Sequence, residues 1–215
     1  MSDRNRNIRV LARVNYNKVG VGAFSMRELS RLMDISPGNL TYHFPTQEHL
    51  IRALLAEAEQ AAEALKQSPA KTVKDLYHWL ESFFAFQLHF RFLYMDRRAL
   101  YAACPDDHDR LGALYALHLD WLKATFEKLN ERSMLKNEPY NDQHEGLVDA
   151  LCILLEHWPL RLQEGKPPIP PRKAIWALIY RDLEKSGKRG FKVLRPEIEL
   201  LGPPLPLSDS LLLAS

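Results

Sequence analysis

The sequence predicts an all-α protein. Apolar residues recur at three- and four-residue intervals through most of the chain, and no stretch alternates apolar and polar residues as a half-buried strand would. Glycine is scarce, at nine of 215 residues, so few positions interrupt the helices. An apolar content of 46% with 26% charged residues is that of a globular chain with material for a substantial core.

The first predicted helix runs from Arg4 to Lys18 with Ile8, Leu11, Ala12 and Tyr16 inward, and Gly20 and Gly22 close it. Two short helices follow within Phe24–Leu50. Thr46 then caps a long helix to Gln67, with Leu50, Ile51, Leu54, Leu55, Ala58, Ala61, Ala62 and Leu65 at helical spacing, and Ser68-Pro69 breaks it. A helix over 70–90 buries Val73, Leu76, Tyr77, Leu80, Phe83 and Phe84, and a shorter aromatic one covers 92–103. Pro105 opens a long helix to Arg132 whose one face carries Leu111, Leu114, Tyr115, His118, Trp121, Leu122, Thr125 and Leu129. After a polar loop at 137–142, an apolar helix spans 143–163, KPPIPP at 166–171 is a stiff connector, and a last helix covers 172–186. Beyond Gly187, Gly190, Pro196, Gly202 and three further prolines predict an extended tail whose leucines point to a partner surface. The expected organisation is a domain over 1–47, a helical domain over 48–187 and a tail over 188–215.

Phe24–Leu50 is the segment that speaks of function. Ser25 stands three residues before Glu28, the spacing of a capping box that satisfies two exposed backbone donors. The helix it starts buries Met26, Leu29, Leu32 and Met33 and turns Arg27, Glu28 and Arg31 outward. Asp34 tolerates the left-handed backbone of a sharp turn, and Ile35 is the apolar plug after it. Ser36 is a second N-cap, with Pro37 at the first helical position, where its missing N–H costs nothing. The second helix buries Leu40 and Phe44 and carries Gly38, Asn39, Thr41, Tyr42 and His43.

Such a face suits the major groove of DNA. Gly38 permits close backbone approach, Asn39 can bond base edges or phosphates, and the Thr41 methyl can meet a thymine methyl. Tyr42 and His43 can donate to phosphate oxygens. The same spacing also describes a plain surface helix.

The run resembles the DNA-binding domain of the TetR family of bacterial transcriptional regulators. The matching residues are Ser25, Leu29, Ser30, Ile35, Ser36, Gly38, Leu40, His43, Phe44 and Leu50, and the resemblance covers roughly residues 5–55. Three positions depart from it. Asp34 stands where the family usually has Gly, Thr41 where it usually has Tyr, and Gln47 where it usually has Lys. The last two commonly touch phosphates in the family, and losing a Lys there lowers the salt dependence by about one unit of slope. The resemblance implies a recognition helix over Pro37–His43, with Ser25, Arg27 and Gln47 clamping the backbone. It implies a C-terminal helical domain that often encloses an effector pocket, and a homodimer on a palindromic operator. It also implies release from DNA when a guest tilts the helix after Thr46.

Charge fits this modestly. Residues 1–55 carry eight basic and four acidic side chains, a net +4 against +2 for the whole chain. An ordinary solvated helix surface accounts for many of them equally well. Cys104 and Cys152 sit in apolar helical contexts and are expected to be reduced packing residues of a cytoplasmic protein. The N-terminus is too charged for a secretory signal, and no segment is apolar enough to span a membrane.

Aromatic residues are dense between Tyr77 and Trp121. Trp79, Phe83, Phe86, Tyr94, Tyr115 and Trp121, with Gln87 and His118 as polar groups, are candidate lining for a small apolar effector. Aromatics at helical spacing also make plain core. No cofactor is expected, and no metal, because lone histidines on apolar faces are more often packed than ligating. Leu147, Leu151, Leu154, Leu155 and Trp158, then Ile175, Leu178, Ile179 and Leu183, mark two late apolar helices. They serve either a four-helix dimer contact or an intramolecular core. A small helical enzyme using the aromatic region is the alternative function, but no nucleophile–base pair or phosphate loop supports it. Asp106-Asp107-His108 reads better as a helix start. A helical protein-binding adaptor is the third reading.

Overall fold

The computed structural model describes residues 3–95, 97–138, 142–160 and 170–199. Among them are eleven α-helices, and the fold is all-α as the sequence predicts. The helices are α1 (Asp3–Val19), α2 (Met26–Leu32), α3 (Pro37–His43), α4 (Gln47–Glu63), α5 (Val73–His89) and α6 (Phe92–Met95). They continue as α7 (Arg97–Ala103), α8 (His108–Glu131), α9 (Gln143–His157), α10 (Arg172–Asp182) and α11 (Lys185–Glu199). None of the helices among the described residues is long and apolar enough to cross a membrane.

The chain divides into two compact units. Unit one comprises the described residues of 1–63 and 89–114, so it takes in α4, α6 and α7 beside the two short helices. Its core is Ile8, Ala12, Tyr16, Leu29, Leu40, Leu50, Ile51, Leu54 and Phe92, all at or below 1% exposure. Tyr16 packs edge-on to Phe24 at 5.9 Å and against Phe92 at 6.2 Å, and burial pushes its phenol up to about 12. Arg9 and Arg13 of α1 share the Glu57 carboxylate of α4 at 2.9 and 3.2 Å. Asn17 donates to the His89 carbonyl and accepts from the Phe92 N–H, which ties the end of α1 to the start of α6.

Asp106-Asp107-His108 stands at a helix start, as the sequence suggests, but as a charge network rather than a cap. Pro105–Asp107 form a turn of 3-10 helix with no side-chain cap, and Asp107 is buried. Its carboxylate accepts from Arg52 at 2.7 Å and from Arg110 at 2.5 Å, and Arg110 also grips Glu59 at 2.7 Å. Despite its burial, the two guanidinium groups hold Asp107 below the usual carboxylate range. The network joins α4 to the first turn of α8.

Unit two comprises the described residues of 64–88 and 115–199. Leu147, Leu151, Leu155 and Trp158 are buried inside it, as are Ile175, Ile179 and Leu183, so these residues make intramolecular core. Arg172 grips Glu81 at 2.5 and 2.6 Å. Leu135 and Leu183 form an isolated antiparallel bridge, flanked by Lys136 N–H to Asp182 O and Glu184 N–H to Met134 O, both 2.8 Å.

The predicted helix over 172–186 ends instead at Asp182, and a new one, α11, covers most of what the sequence assigns to the start of the extended tail. Gly187 serves packing, while Gly190 leaves room for an ordinary contact. A Cβ on Gly187 would meet the Met134 carbonyl at 2.7 Å, and one on Gly190 would touch Val73 at 3.4 Å. Leu194 and Ile198, four residues apart, bury the inner face of α11, and Pro196 lies between them within the helix. Residues 161–169, which include most of the predicted connector, and 200–215 lie outside the described residues.

Candidate nucleic-acid interface

Helices α2 and α3 form the helix–turn–helix. The Ser25 hydroxyl accepts from the Glu28 N–H at 3.3 Å, and the Glu28 carboxylate accepts from the Ser25 N–H at 2.8 Å, which completes the capping box. The bond from the Ser25 N–H, with a second donated by the Ser25 hydroxyl at 2.8 Å, holds the Glu28 carboxyl below its ordinary value. Asp34 adopts the left-handed conformation, φ 52°, and Ile35 N–H reaches back to the Ser30 carbonyl at 3.1 Å. Ser36 caps α3 by accepting from the Asn39 N–H at 3.1 Å, with Pro37 in the first turn.

The inward face differs from the predicted one, and Met26 and Met33 are only half-buried. Leu29 is buried, but Leu32 is 58% exposed, and Ser30 takes the inward place with its hydroxyl donating to the Arg27 carbonyl at 2.9 Å. In α3, Leu40 and Phe44 are buried as expected, at 1% and 7% exposure. These two residues hold the short helix while its other face meets solvent.

That outer face gathers most of the predicted contact residues. Ser25, Arg27, Ser36, Pro37, Gly38, Asn39, Thr41 and Tyr42 are exposed, and His43 is half-buried beside Tyr42, ring centroids 5.3 Å apart. Tyr42 is 84% exposed, an unusual position for an aromatic ring. A Cβ on Gly38 would meet nothing within 4 Å, so this glycine answers no internal packing need and leaves the first turn open to an outside body. Thr41 donates its hydroxyl to the Gly38 carbonyl at 3.2 Å, which leaves its methyl free for contact. The Arg27 guanidinium meets no carboxylate among the described residues.

Gln47 is placed differently. Its side-chain amide donates to the Val21 carbonyl at 2.8 Å and the Phe24 carbonyl at 3.2 Å, pinning the start of α4 to the loop before α2. Arg4 was not among the residues singled out from the sequence, yet its guanidinium lies 3.5 Å from the Asn39 side-chain oxygen. The only signal for it was the run of basic residues at the N-terminus.

The predicted ligand residues fall in both units. Tyr94 lies in α6, in unit one, and is buried there. The other seven lie in unit two and are buried among themselves and their neighbours. Trp79 stacks on Trp121 with centroids 4.0 Å apart and on Phe83 at 5.0 Å. Phe83 in turn meets Phe86 at 6.2 Å and the His118 ring at 5.3 Å. Tyr115 is 8% exposed. Both ends of the Gln87 amide are engaged, donating to the Leu155 carbonyl at 2.6 Å and accepting from the Trp158 indole at 2.7 Å. His118 has Glu156 at 3.5 Å. Among the described residues no group of three or more His, Cys, Asp or Glu could hold a metal ion.

A mostly helical chain that displays a capped helix–turn–helix with a polar outer face is built as a DNA-binding regulator. The comparisons name the family. The model of the TetR family, described as bacterial transcriptional repressor, matches residues 49–177. That is more than half of the chain, and the protein belongs to the TetR family of transcriptional regulators. None of the curated proteins matches the sequence. Among solved structures, a TetR-family transcriptional regulator from Marinobacter aquaeolei VT8 is similar, with a TM-score of 0.74 at 19% identity over 93% of this chain and 100% of that one. The ketosteroid transcriptional regulator KstR2 of Mycobacterium tuberculosis is similar with a TM-score of 0.53 at 14% identity, over 94% of this chain and 96% of that one. At these identities the likeness is one of fold.

Proposed function

We propose that this regulator is a repressor that binds a palindromic operator as a homodimer and is released by a small apolar effector. The observation that carries the reading is α3, whose inner residues Leu40 and Phe44 are buried while Asn39, Thr41 and Tyr42 stand in solvent. Pro37–His43 would enter the major groove, with Ser25, Arg27 and Ser36 against the flanking phosphates. Gln47 supports the module from within through its two carbonyl contacts.

One short recognition helix binds weakly, so a second copy is part of the reading. Most of the late leucines are spent on the chain's own core, with Leu154 and Leu178 half-buried. The second copy would therefore dock on what α9 and the turn after it leave outside, where Ile153 is 62% and Leu160 40% exposed. An effector entering the aromatic layer of α5 and α8 would have to part the stacked Trp79 and Trp121 rings, which favours a flat apolar guest. The test is fluorescence anisotropy with duplexes from the DNA upstream of the protein's own coding sequence, at physiological salt. A palindromic duplex is expected to bind in two-to-one stoichiometry and at least about a thousandfold more tightly than its scrambled version. Equal affinity for the two would exclude operator recognition.

A further inference from the structure

Helices α10 and α11 line an open cleft of about 1130 Å³. Its floor is aromatic. Phe191 lies 5.7 Å from Trp176 and 4.8 Å from Tyr180, and Tyr180 is 42% exposed. Its walls are cationic, built from Lys173, Lys185, Lys188, Arg189, Lys192 and Arg195, against the single acid Glu199. Glu199 is already paired, with Arg195 at 2.7 Å. The Lys188 ammonium sits 5.3 Å over the Tyr180 ring. The charged ends of Lys173, Lys185, Arg189 and Lys192 meet no carboxylate among the described residues.

This charge is local. The whole chain is only +2, yet α11 carries five basic residues and two acidic ones. A row of like charges repels itself, and the Arg195–Glu199 pair offsets only part of it. A solvated basic surface needs neither a concave form nor three clustered rings. The volume is that of a roomy site for an organic ligand. A bare inorganic anion would leave the rings uncovered, and a neutral apolar guest would leave the cations unmatched.

We propose that the α10–α11 cleft binds an anionic amphiphile. Its extended apolar body lies along Trp176, Tyr180 and Phe191, and its phosphate- or carboxylate-type head lies among Lys188, Arg189 and Lys192. The aliphatic stems of the lysines extend the apolar wall while their charged ends reach the head group. The ligand is a free molecule rather than a bilayer. Leu194 and Ile198 of α11 are already buried in unit two, which leaves Val193 as its exposed aliphatic residue, too little apolar face to lie on a membrane.

The experiment is calorimetric titration of the full chain with decyl phosphate below its micellar concentration. Parallel titrations use inorganic phosphate as the head alone and decyl glucoside as the neutral-head analogue. Decyl phosphate is expected to bind at one site per chain, at least about tenfold more tightly than either control. Arg189→Glu with Lys192→Glu should weaken it about tenfold or more with an unchanged melting temperature, because both side chains are exposed. Lys173→Glu, on the other helix and also exposed, is the second variant should the double one fold poorly. Equal affinity for decyl phosphate and decyl glucoside overturns the proposal, as does undiminished binding by the folded charge-reversal variants. Capture by phosphatidylglycerol vesicles without heat from monomeric decyl phosphate overturns it as well.

Discussion

The helix pair α2–α3 and the aromatic layer of α5 and α8 are built on opposite terms. The pair is held by caps and a few inward side chains, Leu29, Leu40 and Phe44 chief among them, and spends its remaining residues on an open polar face. The layer spends nearly everything inward, with rings stacked on rings and the Gln87 amide bonded at both ends. A helix that must touch DNA keeps its donors and acceptors free, so local capping has to supply what burial does not. Stability is expected to be sensitive in the layer, and DNA affinity in the pair.

The largest effect should come from the layer. Trp79 is 1% exposed, stacks on Trp121 and Phe83, and donates its indole N–H to the Leu65 carbonyl at 3.0 Å. Trp79→Ala removes the ring and leaves that carbonyl without its partner, at a cost of about 4 kcal/mol in urea denaturation. A loss below about 1 kcal/mol would show that the layer is loosely packed, and would strengthen the case for an effector cavity there.

The next effect tests whether unit one has a buried weak point of its own. Burial, with Arg13 nearby, pushes the His89 imidazole down to about 4. The sign follows from the two states. As pH falls through about 6.5 the unfolded chain takes up a proton at this residue, while the folded chain does so only near 4. The unfolded state binds more protons in that window, so stability falls from about pH 6.5 to 4 and changes little from this residue on either side. The loss is on the order of 3 kcal/mol. His89→Gln should flatten that part of the stability profile, and an unchanged slope would place the acid sensitivity elsewhere.

A smaller effect belongs to the helix pair. Ser36→Ala removes the hydroxyl that accepts from the Asn39 N–H and should cost about 1 kcal/mol. It should weaken operator binding by more than that stability loss explains, because the cap sets the first turn of the recognition helix. Anisotropy at a temperature where the variant is fully folded separates the two.

What could be read from the sequence follows the range of the forces involved. The caps at Ser25 and Ser36, Pro37 in the first turn and the turn at Asp34 are set by residues three or four apart, and the structure has each where the sequence places it. Leu32 could not be read that way. In a helix of seven residues the buried side depends on what its neighbours offer, and Ser30 could turn inward because its hydroxyl satisfies itself on the Arg27 carbonyl. Asp107 became the centre of a charge network because Arg52, 55 residues earlier, reaches it. Helix α11 is hidden by its glycines, which the sequence presents as breakers, while the fold uses Gly187 for close approach to the Met134 carbonyl. The polar face of α3 could be read, but the contacts it makes could not, since Gln47 looks as free as Arg27 until its partners are known.

Arg27 and Gln47 give the smallest and most discriminating prediction. Both stand at positions where the family resemblance implies a phosphate contact. In the structure Arg27 is exposed with its charge unmatched, while the Gln47 amide is turned to the Val21 and Phe24 carbonyls. Arg27→Ala should therefore lower the slope of log affinity against log salt by about one, the share of a single phosphate. Gln47→Ala should leave that slope unchanged, because an uncharged group that faces its own backbone releases no counterion. Its effect should appear as a loss of thermal stability of about 1 kcal/mol for the hydrogen bonds removed. A slope that fell for Gln47→Ala and held for Arg27→Ala would reverse the assignment and place the phosphate backbone on the α4 side of the motif.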